Sequence, residues 1–203
     1  MPLFSFAVCV FVICIRVLEF SCLPVGVYGA SGLRYQVDIE LLRFENAQGL
    51  EINGLPCDPM KQGCDTRFFA YLDWIKPDEE WPGFRDFEED DTVFEVAEAV
   101  PTSFDINKIF IAQLCTGNHS QNNITLRVKV QDDDRIFRGS DDLIGNFNCR
   151  FAVSPEKNVY TASWSEPTTC EAVKYLSIQP TIRLTFRTKM FFTEGECVDL
   201  EHR

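Results

Sequence analysis

Apolar residues alternate with polar ones along three separate segments of this chain, and this period of two is the feature that most constrains the fold. Successive side chains of a β-strand point to opposite faces, so each segment predicts a strand with one face in a core. An amphipathic helix would need a period of 3.6, and no long segment of the sequence has one. The alternating sets are Tyr35, Val37, Ile39 and Leu41; Ile124, Leu126, Val128 and Val130; and Ile182, Leu184 and Phe186.

Further strands are predicted over residues 67–75, 109–114, 145–153 and 158–163. Turn residues separate the strands, among them Asn53-Gly54, Gly63, Pro82-Gly83, Gly117-Asn118, Gly139-Ser140 and Pro167. Short strands with turn residues between them are typical of antiparallel sandwiches. We therefore predict an all-β fold, an antiparallel eight-stranded sandwich.

The first thirty residues differ from the rest of the chain. Leu3 to Ile15 is an apolar run, as long as the core of a signal peptide and too short to span a bilayer. The alternative, an uncleaved membrane anchor, would bury Arg16 and Glu19 at a cost of about 2.5–3.5 kcal/mol for a charge such as Arg. We predict a cleaved signal peptide over 1–30, a sandwich over 31–190 and a short tail over 191–203.

Cysteine usage agrees with export. Of nine cysteines, three (Cys9, Cys14 and Cys22) lie in the predicted leader, which leaves an even number, as in secreted disulfide-bonded domains. The sequence does not choose among their possible pairings. A zinc site is disfavoured because no Cys-x-x-Cys occurs and the chain has only two histidines. The predicted disulfide cysteines are Cys57, Cys64, Cys115, Cys149, Cys170 and Cys197.

Asn118 and Asn123 each begin an Asn-x-Ser/Thr sequon within a polar stretch that is typical of an exposed loop. In an exported protein, both are predicted glycosylation sites.

The formal net charge is −12, and no Lys/Arg-rich run occurs, so nucleic acid is excluded as an expected partner. An acidic surface also repels anionic lipid unless a cation lies between them. Apolar residues make up 45% of the chain and include 18 Phe, which is enough for a core.

Five carboxylates lie within eleven residues between two predicted strands: Asp132, Asp133, Asp134, Asp141 and Asp142. Their mutual repulsion would be relieved by Ca²⁺, which takes six to eight oxygen ligands from flexible carboxylate loops. The alternative is an acidic surface turn, because Asp is a common turn residue. Composition alone leaves both interpretations open.

The order of residues in this segment resembles the third calcium loop of C2 domains: a strand, Asp-x-Asp-Arg, a polar run, and Asp-Leu-Ile-Gly. Asp132, Asp134 and Asp142 match its ligands; the polar run is longer than usual, so Asp141 is an alternative to Asp142. Asp65, just before the aromatic-rich residues 66–72, matches a ligand of the first loop. The resemblance implies a C2-like sandwich that binds calcium through these four residues, and phospholipid with it.

A narrower resemblance is carried by Val37-Asp-Ile-Glu-Leu-Leu-Arg-Phe-Glu-Asn-Ala-Gln-Gly49 and by Cys64-Asp-Thr-Arg-Phe-Phe-Ala-Tyr-Leu72. Both resemble the N-terminal module of Delta/Jagged-type Notch ligands, which is itself C2-like. Phe191-Phe-Thr-Glu-Gly-Glu-Cys197 resembles the start of the cysteine module that follows in those ligands. The spacing of Cys57 and Cys64 departs from the paired cysteines of that family. The resemblance implies a secreted module that binds a Notch-like cell-surface receptor, a phospholipid membrane, or both.

Three classes of function follow. The chain is a Notch-ligand-like binding module, or a calcium-dependent phospholipid-binding C2 protein unrelated to Notch signalling, or an enzyme. Catalysis is disfavoured because His119 lies in a sequon, His202 lies in the tail, and no Gly-rich phosphate loop occurs. A carboxylate pair of glycosidase type is the remaining catalytic possibility. We expect a non-catalytic, extracellular monomer.

Residues 77–91 interleave acidic residues with Trp81, Phe84 and Phe87. The segment is either a solvated loop with an aromatic packed on the sandwich or an acidic-aromatic binding loop, since aromatic residues often anchor interfaces.

Overall fold

A computed structural model describes residues 32–57, 63–96, 103–116, 122–133, 142–173 and 182–195. These residues are nearly all in strands, turns and extended segments, with one short 3₁₀ helix at Glu89–Asp91. Within these ranges, no helix has the length and apolar character needed to cross a membrane.

Four strands form the first sheet in the order β4-β1-β9-β7, and each neighbouring pair is antiparallel. The central strand β1 pairs Val37 with Met190 on one side and with Ala112 on the other. The register shifts between Leu41 and Arg43, which indicates a β-bulge. The strands are β1 (Arg34–Asn46), β4 (Ser103–Cys115), β7 (Thr168–Thr169) and β9 (Ile182–Phe192).

The second sheet has the order β3-β2-β5-β6-β8 and is also antiparallel. Its strands are β2 (Thr66–Asp73), β3 (Thr92–Glu95), β5 (Asn123–Asp132), β6 (Asp142–Ala152) and β8 (Glu171–Ala172). The predicted all-β antiparallel sandwich is confirmed; the described residues add three short strands that were not predicted, β3, β7 and β8.

The core lies between the two sheets, and the predicted alternation places its residues there. Tyr35, Val37, Ile39 and Leu41 are buried, as are the four alternating residues of β5. After the bulge, Phe44 takes the next core position and packs edge-on against Phe68 and Phe147. Edge-to-face pairs add about 0.5–1.5 kcal/mol beyond the burial of their surface.

The prediction of a strand over residues 158–163 is wrong. Asn158 folds this segment into a turn: its Oδ1 accepts hydrogen bonds from the backbone N–H groups of Tyr160 (3.0 Å) and Thr161 (3.1 Å). Asn side chains compete in this way with strand hydrogen bonds. Tyr160 is left almost fully exposed at the turn.

Two disulfides join described cysteines, Cys57 with Cys64 and Cys149 with Cys170. Cys115 is also disulfide-bonded, and Cys197 lies outside the described residues. The prediction of a disulfide-bonded sandwich is confirmed, and such bonds are typical of proteins that fold in oxidising compartments.

Residues 74–91, here called the strap, fold back over the outer face of the second sheet. Arg127 of β5 is fully buried and anchors the strap: its guanidinium donates to Asp73 Oδ2 (3.0 Å) and to the carbonyls of Lys76 (3.2 Å) and Glu79 (2.9 Å). Asp73 is also fully buried, so the ion pair is desolvated. Removing one member would leave an uncompensated charge in the interior.

Tyr71 and Gly83 form the second attachment of the strap. The Tyr71 hydroxyl donates to the carbonyl of Pro82, and burial raises the pKa of Tyr71 to about 12. Gly83 has φ of +101°, and a Cβ there would lie 2.6 Å from both Asp73 Oδ2 and the Tyr71 hydroxyl. Only glycine fits this close approach without strain. The strap is therefore an ordered part of the sandwich, with Phe84 and Phe87 packed on Tyr71.

Candidate functional site

Three neighbouring strands of the second sheet bring predicted ligand residues to one edge. Asp65 directly precedes β2, Asp132 ends β5 and Asp142 begins β6. In the ladders, Asp132 pairs with Thr66 on one side and with Asp142 on the other. Adjacent strands lie about 4.8 Å apart, so the three Asp residues follow one another along this edge.

Asp132 lies at the centre of the row and is only 1% exposed. Its Oδ1 accepts a hydrogen bond from the backbone N–H of Asp65 (2.6 Å), and the N–H of Asp133 donates to the carbonyl of Asp65 (2.7 Å). Hydrogen bonds to an ionised carboxylate are about twice as strong as neutral ones. These two bonds fix the start of β2 against the end of β5.

The loop that precedes Asp65 is held by a buried amide. Asn46, at the end of β1, accepts from the N–H of Leu50 (3.1 Å) and donates to its carbonyl (2.9 Å). The Cys57–Cys64 disulfide closes the loop immediately before Asp65. The N–H of Ile52 donates to the carbonyl of Leu143 (2.9 Å), so the loop is also attached to β6.

Leu55 is presented by this same loop and is 60% exposed. Gly54 before it has φ of +85°, and the N–H of Leu55 donates to Asn53 Oδ1 (2.7 Å). The side chain of Leu55 is therefore held outward by a hydrogen-bonded turn. The sequence interpretation did not single it out, although Asn53-Gly54 is a turn signal that predicts an exposed next residue. We call Leu55, Asp65, Asp132 and Asp142 together the tip.

Asp134, the fourth predicted ligand, lies outside the described residues, as does Asp141, the predicted alternative to Asp142. In the described part of the chain, no group of three or more His, Cys, Asp or Glu side chains is arranged so that it could hold a metal ion. The three Asp residues that are described share one sheet edge, and carboxylate oxygens are the ligands that calcium prefers. The residue types therefore suit the predicted calcium loop, and one oxygen of Asp132 already accepts a hydrogen bond from the backbone N–H of Asp65.

A small cavity of about 20 Å³ lies beside the tip, between Ile52, Ile144 and Ile182. Oδ1 of Asn146, which lines it, is buried and has no hydrogen-bond partner among the residues that the structure describes. Such a volume holds about one water molecule, which would satisfy the amide oxygen. The cavity is too small for an organic substrate.

Of the two predicted glycosylation sites, Asn123 lies at the other end of β5 from the tip. Asn123 begins β5, the strand that Asp132 ends, and Asn118 lies outside the described residues. At about 3.3 Å per residue, the two ends of this strand are about 30 Å apart. A glycan on Asn123 would leave the tip uncovered.

Comparison with known proteins finds similarity only among solved structures. No protein-family model and no curated protein matches the sequence. A C2 domain protein from Ramazzottius varieornatus matches with a TM-score of 0.65 at 23% identity, over 81% of this chain and 92% of that one. This chain has the C2 fold.

Two further solved structures match with lower TM-scores. Human GIVD cytosolic phospholipase A2 matches with a TM-score of 0.51 at 14% identity, over 83% of this chain but only 18% of the enzyme. The Drosophila C2-DSL-EGF1 structure matches with a TM-score of 0.41 at 15% identity, over 77% of this chain and 67% of that one. A similarity this low adds nothing to the Delta/Jagged resemblance, which stays a prediction.

Proposed function

We propose that this chain is a non-catalytic, extracellular C2 module that binds anionic phospholipid through its tip in a calcium-dependent manner. The observation that carries the proposal is the row of Asp65, Asp132 and Asp142 at the ends of three adjacent strands. The sequence between β5 and β6 resembles a C2 calcium loop, and the sandwich has the matching fold.

The residues of the tip have separate roles in this proposal. Asp132, Asp134 and Asp142 would hold calcium from the loop between β5 and β6, and Asp65 would hold it from the loop before β2. Bound calcium supplies the positive charge that an anionic headgroup requires. Asp132 also positions Asp65 through the hydrogen bond from its backbone N–H. Without the ion, the carboxylates of the tip repel anionic lipid.

Leu55 supplies the apolar part of the contact. It is exposed on the loop that ends in Asp65, and its turn is held by hydrogen bonds within residues 51–55. A fully buried Leu side chain contributes about 1.5–3 kcal/mol relative to an exposed one. Partial insertion into the headgroup region would contribute less, but enough to affect vesicle binding.

The extracellular assignment rests on sequence and disulfides together. The apolar leader predicts export, and two disulfides lie among the described residues. Glycans at Asn118 and Asn123 belong to the same proposal. At millimolar extracellular calcium, a site with a dissociation constant of about 10⁻⁴–10⁻³ M is filled to a large extent.

A second candidate is a Notch-ligand-like module that binds a cell-surface receptor. One observation favours it: the first loop holds a disulfide, Cys57–Cys64, directly before the Asp65-Thr66-Arg67-Phe68 segment that carries the resemblance. The two candidates are compatible, because lipid binding at the tip leaves the sheet faces free. Binding of a purified Notch ectodomain to the immobilised mature chain tests the second candidate, and the absence of binding would leave only the lipid-binding proposal.

Leu55→Ser is expected to weaken calcium-dependent binding to phosphatidylserine-containing vesicles by about fivefold, since about 1 kcal/mol of apolar contact is lost. Calcium binding itself should be unchanged, because Leu55 offers no ligand. The measurement is vesicle co-sedimentation at millimolar calcium. Leu33→Ser is the matched control: Leu33 is 63% exposed but precedes β1, at the other end of the strands. Equal effects of the two variants would contradict the placement of the membrane contact at the tip.

A further inference from the structure

The outward side of the strap carries an aromatic pair that the proposed function does not use. Trp81 and Phe87 are stacked, with ring centroids 5.2 Å apart and planes 23° from parallel. Both side chains are only partly buried. Phe87 also packs on Tyr71 of β2 (5.0 Å), so the pair is fixed to the sheet beneath it. Aromatic side chains, Trp in particular, are enriched among the residues that anchor interfaces.

Carboxylates surround this pair along the chain. Glu80 precedes Trp81, while Asp86 and Glu88 flank Phe87, and all three are exposed. Within the described residues, these three carboxylates form no ion pair, whereas their neighbours Glu79 and Glu89 pair with Lys76 and Arg67. The excess of exposed carboxylates beside the aromatic pair favours a cationic occupant.

The strap already binds one cationic side chain of its own between an aromatic ring and a carboxylate. The guanidinium of Arg85 lies 4.3 Å from the centre of the Tyr71 ring and donates two hydrogen bonds of 2.7 Å to Asp91. Burial alone would raise the pKa of Asp91, but hydrogen bonds from Arg85 and from the backbone of Glu88 outweigh it and lower the pKa. A guanidinium between a ring and a carboxylate is thus a stable arrangement in this segment.

We infer that the Trp81–Phe87 pair and its carboxylates are a docking surface for an arginine-bearing segment of a partner protein. Arginine fits better than lysine because its planar guanidinium stacks on a ring and bonds a carboxylate bidentately. Tyr71, beneath the pair, is opposite Arg127 of β5. Arg127 is five residues from Asp132, about 17 Å along the strand, so the surface is separate from the tip.

The test uses the mature chain, ¹⁵N-labelled, and a nona-arginine peptide as the probe. Titration followed by NMR should shift the indole N–H of Trp81 and the amides of the strap, and leave the indole of Trp164 in place. Nona-lysine should bind more weakly at this surface. Shifts confined to the acidic tip would overturn the proposal, since they would show binding by net charge alone.

Trp81→Leu with Phe87→Leu removes the rings and keeps every charge. The affinity for nona-arginine should fall about five- to tenfold, as cation–π contacts of this kind predict. Glu80→Gln with Asp86→Asn keeps the rings and should cause a similar loss, so the surface can be tested even if the first variant disturbs the strap. Glu156→Gln with Glu166→Gln, both exposed and outside the strap, is the charge-matched control and should bind as wild type. An unchanged affinity in the Glu80/Asp86 variant, or an equal loss in the control, would overturn the proposal.

Discussion

Arg127→Ala is expected to lower the free energy of unfolding by about 3–5 kcal/mol, the cost of breaking a buried ion pair by removing one partner. The substitution leaves the buried Asp73 carboxylate without its cationic partner, and it removes the donors to the carbonyls of Lys76 and Glu79. Because those carbonyls belong to the strap, its attachment to the sheet should fail before the rest of the sandwich unfolds. The effect is large because one guanidinium satisfies so many buried acceptors.

Urea denaturation measures the loss of stability, and hydrogen exchange measures whether the strap stays attached to the sheet. Backbone amides of residues 74–91 should lose protection in Arg127→Ala under conditions where those of β1 and β9 keep theirs. Arg43→Ala is the control: Arg43 also forms two ion pairs, with Glu45 and Asp105, but its side chain is 43% exposed. Surface pairs contribute about 0–1 kcal/mol each, so this variant should be close to wild type. Equal destabilisation by both variants would contradict the assignment of Arg127 as the anchor.

Asp132→Asn combined with Asp134→Asn is expected to abolish calcium-dependent binding to anionic vesicles. Both substitutions remove charged ligands from the predicted loop, and the charge count of a loop sets its calcium affinity. The fold should survive, because the amide oxygen of an Asn at position 132 still accepts the hydrogen bond from the N–H of Asp65. The loss should therefore be specific to calcium and lipid.

The measurements are vesicle co-sedimentation with calcium or chelator, and melting in chelator for both proteins. Glu156→Gln with Glu166→Gln again removes two charges away from the tip and should sediment as wild type does. If the Asp132/Asp134 variant still binds vesicles in calcium, the tip is not the membrane contact. If instead it melts far below wild type in chelator, the carboxylate of Asp132 has a structural role that the amide does not replace.

The strands could be predicted because the alternation of apolar and polar residues indicates which face of each strand is buried. Tyr35 to Leu41 and Ile124 to Val130 are buried as the period of two requires. The prediction of a strand over residues 158–163 was wrong because Val159 and Tyr160 favour strands. The turn depends instead on one Asn side chain, which accepts hydrogen bonds from the backbone N–H groups that follow it. Strands β7 and β8 have two residues each, too few for any period to be read.

The row of Asp residues could be predicted because strand ends lie at sheet edges, and Asp65, Asp132 and Asp142 flank predicted strands. The anchoring of the strap could not be predicted. Arg127 alternates with core residues along β5, so from the sequence alone it would be taken for a solvent-exposed cation. Only the return of residues 74–91 over the sheet buries it, and that path depends on Gly83 passing close to Tyr71 and Asp73.

Calcium-dependent thermal stabilisation of the wild-type mature chain tests the central claim most directly. With a dissociation constant of about 0.5 mM, calcium at about 5 mM should stabilise the folded state by about 1.4 kcal/mol. For a domain of this size, that raises the melting temperature by about 3–6 °C relative to chelator. Magnesium at the same concentration should have a smaller effect, since it demands an octahedral site and gives up its water reluctantly. Identical melting in calcium and in chelator would show that the acidic residues of the tip are ordinary surface, and the proposed calcium-dependent function would be wrong.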